Sequence, residues 1–347
     1  MLYHHFAVRS KTDWDAFVLR SLIHEAYHTW HYHTLNSEGE PVLFVYEEGP
    51  HFIALPLIKR KIENSEFFDV TSIYGYGGPI SNLPLSDIPD DRKANFKKSF
   101  QEFMDTEQCI CVFSRLHPFI AQDDLLSTIG GVCDNGSTIY MDLSLPIEIQ
   151  RSNYDKRLWR QIRKLRSENY IIKEAESEAE IRDFTMMYHK NMERLSAAPN
   201  YYFDYNYFVG LLNSKELDNK LILIYDGQKL ICGALLLVSS YLIRNHLSAT
   251  AQEYINESPS KLLTDEISLI GRKVGAKIFH LGGGVGGKED SLFKFKSHFS
   301  NTRIRDQIWC FVSNNQAYNE LVEKRSAELN PESRYFPIYR QVKQQTF

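Results

Sequence analysis

Residues 258–299, SPSKLLTDEISLIGRKVGAKIFHLGGGVGGKEDSLFKFKSHF, carry the pattern that decides the fold. Ser258-Pro259 supplies an N-cap followed by the residue best suited to a first helical position. Leu263, Ile267, Ile270 and Val274 recur behind it at helical spacing, and Gly275 ends the run. Lys277–Leu281 then reads as a strand leading into the glycine-rich Gly282–Gly287, and a short helix opens near Asp290-Ser291. Helix, strand, glycine loop and helix in this order make one unit of an α/β sheet.

The same alternation recurs upstream. Glu178–Ser196 is predicted helical, Leu221–Tyr225 and Ile231–Val238 form a hairpin around Asp226-Gly227, and Tyr241–Ser248 adds a strand. Nearer the start, Asp13–Leu22 and Asp90–Thr106 read as helices. Val42–Tyr46 and Phe52–Leu57 are hairpin strands around Glu47–Pro50. Phe67–Tyr74 ends in Tyr74-Gly75-Tyr76-Gly77-Gly78-Pro79, and Cys109–Ser114 follows the second helix as a further strand. The expectation is an α/β (α+β) chain of two domains, 1–145 and 146–347, each a mixed central sheet flanked by helices.

Ser152–Ser167 differs in character. Arg151, Lys156, Arg157, Arg160, Arg163, Lys164 and Arg166 stand close together, while Leu158, Ile162 and Leu165 keep helical spacing. This predicts an amphipathic helix with a basic outer face, either a solvated linker or a surface that holds phosphates through Arg160, Arg163 and their neighbours.

Composition narrows the class. The chain has 347 residues, 43% hydrophobic and 24% charged, with a net charge of −4. That suits a folded globular protein and argues against a dedicated DNA binder. No apolar run approaches the roughly 18 residues of a membrane span, and the first residues show no secretory signal, so a cytoplasmic protein is expected. The five cysteines are scattered, and Cys109 and Cys111 alternate along a strand as a buried pair on one face.

Three motifs are discounted. His24-Glu25-Ala26-Tyr27-His28 spells HExxH, which on a helix could bind zinc, and Glu47 stands where a third ligand could follow. Glu47 falls in a hairpin turn, however, and the stretch is rich in histidine, so both histidines are expected to be ordinary helix residues and no metal is expected. Gly282–Lys288 resembles a P-loop but continues with Glu289 where a hydroxyl is needed. Arg272–Ala276 resembles a coenzyme A pyrophosphate cradle but lies at a helix end, where Gly275 is a cap.

Taken together, these stretches resemble the Fem-type, BioF2-like branch of the GNAT superfamily, which includes bacterial peptidoglycan interpeptide-bridge aminoacyltransferases. The matching features run in order. They are Tyr74–Pro79, the basic helix with Tyr170–Lys173, Tyr188–Tyr207 with its central Arg194, and the Asp226-Gly227 hairpin with Gly233–Val238. Ser258-Pro259 with its helix, Leu281–Gly284 and Ser291–Phe299 complete the set. The resemblance implies two GNAT-like domains with the site between them, and acyl transfer to an amine. Gly78 stands where the bridge-forming enzymes carry an arginine. No lysine counterpart occurs around Trp30–His33, and no coiled-coil arm is present. These departures turn the donor expectation toward acyl-CoA and the acceptor toward a small or nucleotide-linked sugar or amino acid. Aminoacyl-tRNA in cell-envelope synthesis is the alternative, and a non-catalytic envelope-assembly role the second.

Amine attack on an ester or thioester needs alignment, a stabilised oxyanion and a route for the proton. By resemblance, Gly233–Val238 is a splayed strand offering amides to the donor carbonyl. Lys296 stabilises the developing charge, and Phe295 packs the site wall beside Gly283 and Gly284. Arg194 pairs with an acceptor anion, and Tyr76 and Tyr205 belong to the substrate surface.

Overall fold

Helix and strand ends follow local signals along most of the chain. The computed structural model describes residues 2–35, 38–214, 216–330 and 335–341. The first elements are β1 (Tyr3–Val8), α1 (Lys11–Arg20), α2 (Trp30–Leu35), β2 (Glu40–Glu48), β3 (His51–Lys61), β4 (Phe68–Thr71) and β5 (Ile80–Ser81). Next come α3 (Asp90–Thr106), β6 (Cys109–Arg115), α4 (Gln122–Leu126), β7 (Val132–Asp142), α5 (Ile147–Ser152), α6 (Lys156–Ser167) and β8 (Ile171–Glu174). Then follow α7 (Glu178–Arg194), α8 (Tyr205–Leu212), β9 (Lys220–Asp226), β10 (Lys229–Val238) and β11 (Leu242–Thr250). The last are α9 (Ser260–Lys273), β12 (Ile278–Gly282), α10 (Ser291–Ser297), β13 (Arg303–Val312) and α11 (Asn315–Lys324).

Two compact units divide the chain, Met1–Asn135 with Arg305–Phe347, and Gly136–Ile304. This differs from the expected division at 145, which assigned everything beyond it to the second domain. The reason is a strand pairing of long sequence separation. β13 lies antiparallel to β6, with Ile308 opposite Arg115 and Val312 opposite Cys111, so the C-terminal segment completes the first unit's sheet.

In the first unit the strand order is β1-β2-β3-β4-β6-β13-β7, with β5 beside β3. Phe96, Phe100 and Phe103 of α3 pack on one face with Phe44, Leu55, Val112 and Trp309. Trp14, Phe17 and Val18 of α1 cover the other with Leu43, Val45 and Ala54. Cover on both faces explains why Val42–Tyr46 is an unbroken apolar run. β4 and β6 are parallel, and the chain beyond β4 rejoins β6 through a bridge between Gly77 and Leu116. Gln122 stitches that glycine loop, its Nε2 donating to Gly77 O and Pro79 O at 3.0 Å each.

The second unit orders the end of β7, then β12-β11-β10-β9-β8. On one face α6 and α9 bury Leu158, Ile162, Leu165, Leu263 and Ile267 against Ile222, Ala234, Leu236 and Phe279. On the other, Phe184 and Tyr188 of α7 pack edge-on against Phe208 of α8. The basic helix is shorter than expected. Asp155 interrupts the segment and caps α6, accepting from Arg157 N at 2.8 Å and Leu158 N at 3.1 Å, while α5 ends before it.

Cys109 and Cys111 do not share a face. A bulge between Phe68/Cys109 and Val70/Val112 inserts a residue into β6. Cys109 therefore joins the α3 core, and Cys111 joins Ile110 against α11. Burial pushes the Cys109, Cys232 and Cys310 thiols up to about 12 and Cys111 upward as well, whereas Cys133 is exposed. A neutral thiol reagent at pH 7 should label Cys133 alone in the folded protein and every cysteine after denaturation. A second thiol labelled as fast as the first would contradict this packing.

Candidate active site

In the second unit, β11 and β12 are parallel and joined by the crossover helix α9. Their ladder covers only Leu242–Arg244 against Ile278–His280. Beyond it the strands leave one another, and β11 carries a bulge. Leu247 faces Leu235 and Asn245 faces Leu236, so His246 is the extra residue. The carboxyl ends of parallel strands, where neighbours separate, are where α/β sheets bind ligands. The strand expected to splay, Gly233–Val238, does not. It lies in β10, where Gly233–Leu236 is paired on both sides, with β9 and β11, and Leu237 and Val238 remain paired with β11.

The glycine loop follows β12 directly. Asp290, the N-cap of α10, accepts from Phe293 N at 2.9 Å and, through its second oxygen, from Val285 N at 3.0 Å. A carboxylate thus sits on the amides that a P-loop would offer to phosphate. A Cβ on Gly284 would lie 1.9 Å from Lys288 O, so only glycine fits there. Lys296 reaches back from α10, its Nζ donating to Gly283 O at 2.6 Å. Phe295, one residue earlier, is half-buried and packs against the core beside Phe299, ring centroids 5.4 Å apart. Lys294 points to solvent. Gly283, Gly284, Phe295 and Lys296 are therefore gathered at one place.

The remaining predicted residues have other partners. Arg194, the last residue of α7, donates to Asn191 Oδ1 at 2.8 Å and lines a cavity of about 720 Å³ with Met187, Lys190, Thr250 and Glu253. Tyr205 meets the opposite end of α7, its hydroxyl 3.2 Å from Glu178 Oε2 and its ring under Arg182. At ~1.5 Å per residue, the helix separates these two contacts by roughly 24 Å. Tyr76 belongs to the first unit, buried beneath the Arg115 guanidinium at 4.2 Å. Arg115 is itself held by Asp306, Nη2 to Oδ2 at 2.9 Å. Arg160 and Arg163 stand exposed on α6.

A polar band beside the departing strands was not anticipated. The His246 Nε2 lies 2.8 Å from the Tyr207 hydroxyl, whose ring stacks on Phe203. Arg244 contacts His280 Nδ1, and His280 Nε2 lies 2.9 Å from Thr138 Oγ1. Burial, with Arg244 adding to it, pushes the His246 imidazole down to about 3 and keeps it neutral. The signal was present in the strand: Arg244, Asn245 and His246 stand together between the apolar Leu242-Ile243 and Leu247.

HExxH takes no α-helical form here, contrary to expectation. Glu25 is extended at φ −137° and ψ 179°, and only Ala26–His28 makes a short 3₁₀ turn. His24 and His28 therefore do not project from one helix face. The Glu25 carboxylate lies 3.1 Å from His117 Nε2, and His28 Nδ1 accepts from Glu25 N at 3.0 Å. Glu47 is engaged by His4 at 3.1 Å. Among the described residues, no group of three or more His, Cys, Asp or Glu side chains is arranged to hold a metal ion. Metal analysis of purified protein should find less than about one-tenth equivalent of zinc; stoichiometric, chelator-sensitive zinc would restore the hydrolase reading.

Each unit is a mixed sheet flanked by helices with one parallel crossover pair, and the two are GNAT-like domains in tandem. Among solved structures the chain is similar to FemX at 12% identity and a TM-score of 0.71, over 92% of this chain and 99% of that one. It is also similar to L-PGS from Bacillus licheniformis, 13% identical with a TM-score of 0.57, over 88% and 93% of the two chains. A tandem GNAT protein from the clavulanic acid biosynthesis pathway aligns at 8% identity and 0.52, over 89% and 99%. These likenesses bear out the resemblance to the Fem-type branch at the level of fold. No protein-family model and no curated protein sequence matches the chain.

Proposed function

We propose that the second unit transfers an acyl group from an activated donor to an amine at the parting of β11 and β12. The observation that carries the reading is the Lys296 ammonium on the carbonyl of Gly283, at the end of a parallel strand whose neighbour has just left it. The amine attacks the donor carbonyl directly, the carbonyl oxygen gains negative charge, and Lys296 lies on the side where a cation offsets it. The tetrahedral species collapses with expulsion of the donor's thiolate or alkoxide, which takes up the proton that the amine nitrogen loses, and no covalent enzyme intermediate is required. Arg194 in its cavity supports a role in holding an acceptor carboxylate or phosphate through the planar guanidinium.

For the donor, acyl-CoA was the first expectation. The turn from β11 into α9 is where a diphosphate would meet backbone amides, yet residues 251–259 include Glu253 and Glu257 and no glycine. That observation favours the second reading, an aminoacyl ester carried on tRNA, within cell-envelope synthesis. Thiol release across a panel of acyl-CoAs, run beside transfer from charged tRNA to amine acceptors, separates the two.

A single cation aimed at an oxyanion in a water-poor site contributes on the order of 3 kcal/mol, roughly 10²-fold in rate. Lys296→Met should lower kcat by about that factor with Tm nearly unchanged, whereas Lys294→Met on the solvent side should do little. Equal losses in the two variants, or none in either, would remove Lys296 from the mechanism.

A further inference from the structure

On α6, the apolar residues Leu158, Ile162 and Leu165 are buried in the core of the second unit. Arg166 and, from α5, Arg151 are committed to the fully buried Asp265, at 2.6 and 2.8 Å. The helix is thus fixed on α9 along one side. Its other side carries Lys156, Arg157, Arg160, Arg163 and Lys164, all exposed, and among the described residues none has an ion-pair partner. Asp155, the acid at the start of the helix, spends its carboxylate on the N-terminal amides.

Lys156, Arg160, Arg163 and Lys164 follow i, i+4, i+7, i+8 spacing, which puts them in one stripe about 12 Å long with a cation every ~5–6 Å. Five like charges on a short rigid helix repel one another, and an external polyanion relieves that repulsion. The stripe also leads toward the candidate active site. Asp155 N donates to His298 O at 2.8 Å, so the start of α6 abuts the end of α10, the helix that carries Lys296.

We propose that this stripe binds the phosphodiester backbone of an RNA whose activated end is presented at α10; the inference rests on the reading of the donor as an ester carried on RNA. Two features favour RNA over an anionic membrane. No large apolar side chain stands exposed on α6, so the helix has nothing to insert into lipid. Four of its cations form a single line rather than a broad plane, and two of these, Arg160 and Arg163, are arginines, whose forks take phosphate oxygens in pairs.

The test uses the full chain, deacylated bulk tRNA as probe, and vesicles of phosphatidylglycerol and phosphatidylcholine in parallel. Arg160→Glu with Arg163→Glu should weaken tRNA binding at least about tenfold at low salt. It should also reduce the slope of log Kd against log salt by about 1.4–1.8, the share of two phosphate contacts. Lys98→Glu, an exposed reversal on α3 of the first unit, should leave both unchanged. Equal effects of the two reversals, an unchanged slope, or a loss confined to vesicle binding would overturn the proposal. Binding is read here without turnover. Intact tRNA binding through α6 with no acyl transfer would therefore count against the proposed function and not against this surface.

Discussion

The carboxylate of Asp265 organises the second unit. It is fully buried on α9, bound by Arg151 through Nε and Nη2 at 3.2 and 2.8 Å and by Arg166 at 2.6 Å, and it accepts from the Tyr154 hydroxyl at 2.9 Å. A buried charge is tolerated only when its lone pairs are filled in this way, and removing one member of such a group costs about 3 kcal/mol or more. Because α9 is the crossover between β11 and β12, whatever fixes α9 also fixes how far those strands can part. The same carboxylate holds α6 flat, so the packing side of that helix and its charged side are set together.

Elements set by neighbours in sequence were mostly legible, although α9 opens at Ser260 with Pro259 in the cap position, and Ser258, at φ 57°, donates its hydroxyl to Ile255 O instead of capping the helix as expected. Ser177 and Glu180 form a capping box at the start of α7. Gly227 takes φ 56° in the hairpin after Asp226, and Gly275 takes φ 85° at the end of α9. These are local conformational demands that few residues meet. Pairings between distant segments were not legible. Nothing in Arg303–Val312 announces that it belongs beside β6, and a one-residue bulge sends Cys111 to the opposite face from its expected partner.

The candidate site divides along the same line. Phe295 and Lys296 are adjacent on a short helix, so helical geometry alone separates their directions, one into the core and one toward the glycine loop. Arg194 and Tyr205 are only eleven positions apart in sequence. A long straight helix nevertheless carries one contact away from the other, which residue spacing across a turn cannot reveal. His246 was harder to find, because a bulge depends on the register of two strands.

The discontinuity of the first unit has a consequence for how the protein is made. Its sheet has β13 seated between β6 and β7, and Trp309, wholly buried, closes the α3 core from that strand. During synthesis from the N-terminus, Met1–Asn135 emerges well before Arg303–Val312 exists. For that interval β6 presents an open edge, with Ile110 and Val112 uncovered. The second unit, Gly136–Ile304, is contiguous and leaves the ribosome entire. The order of maturation is therefore the reverse of the order of translation: the half that begins the chain is the last to be finished.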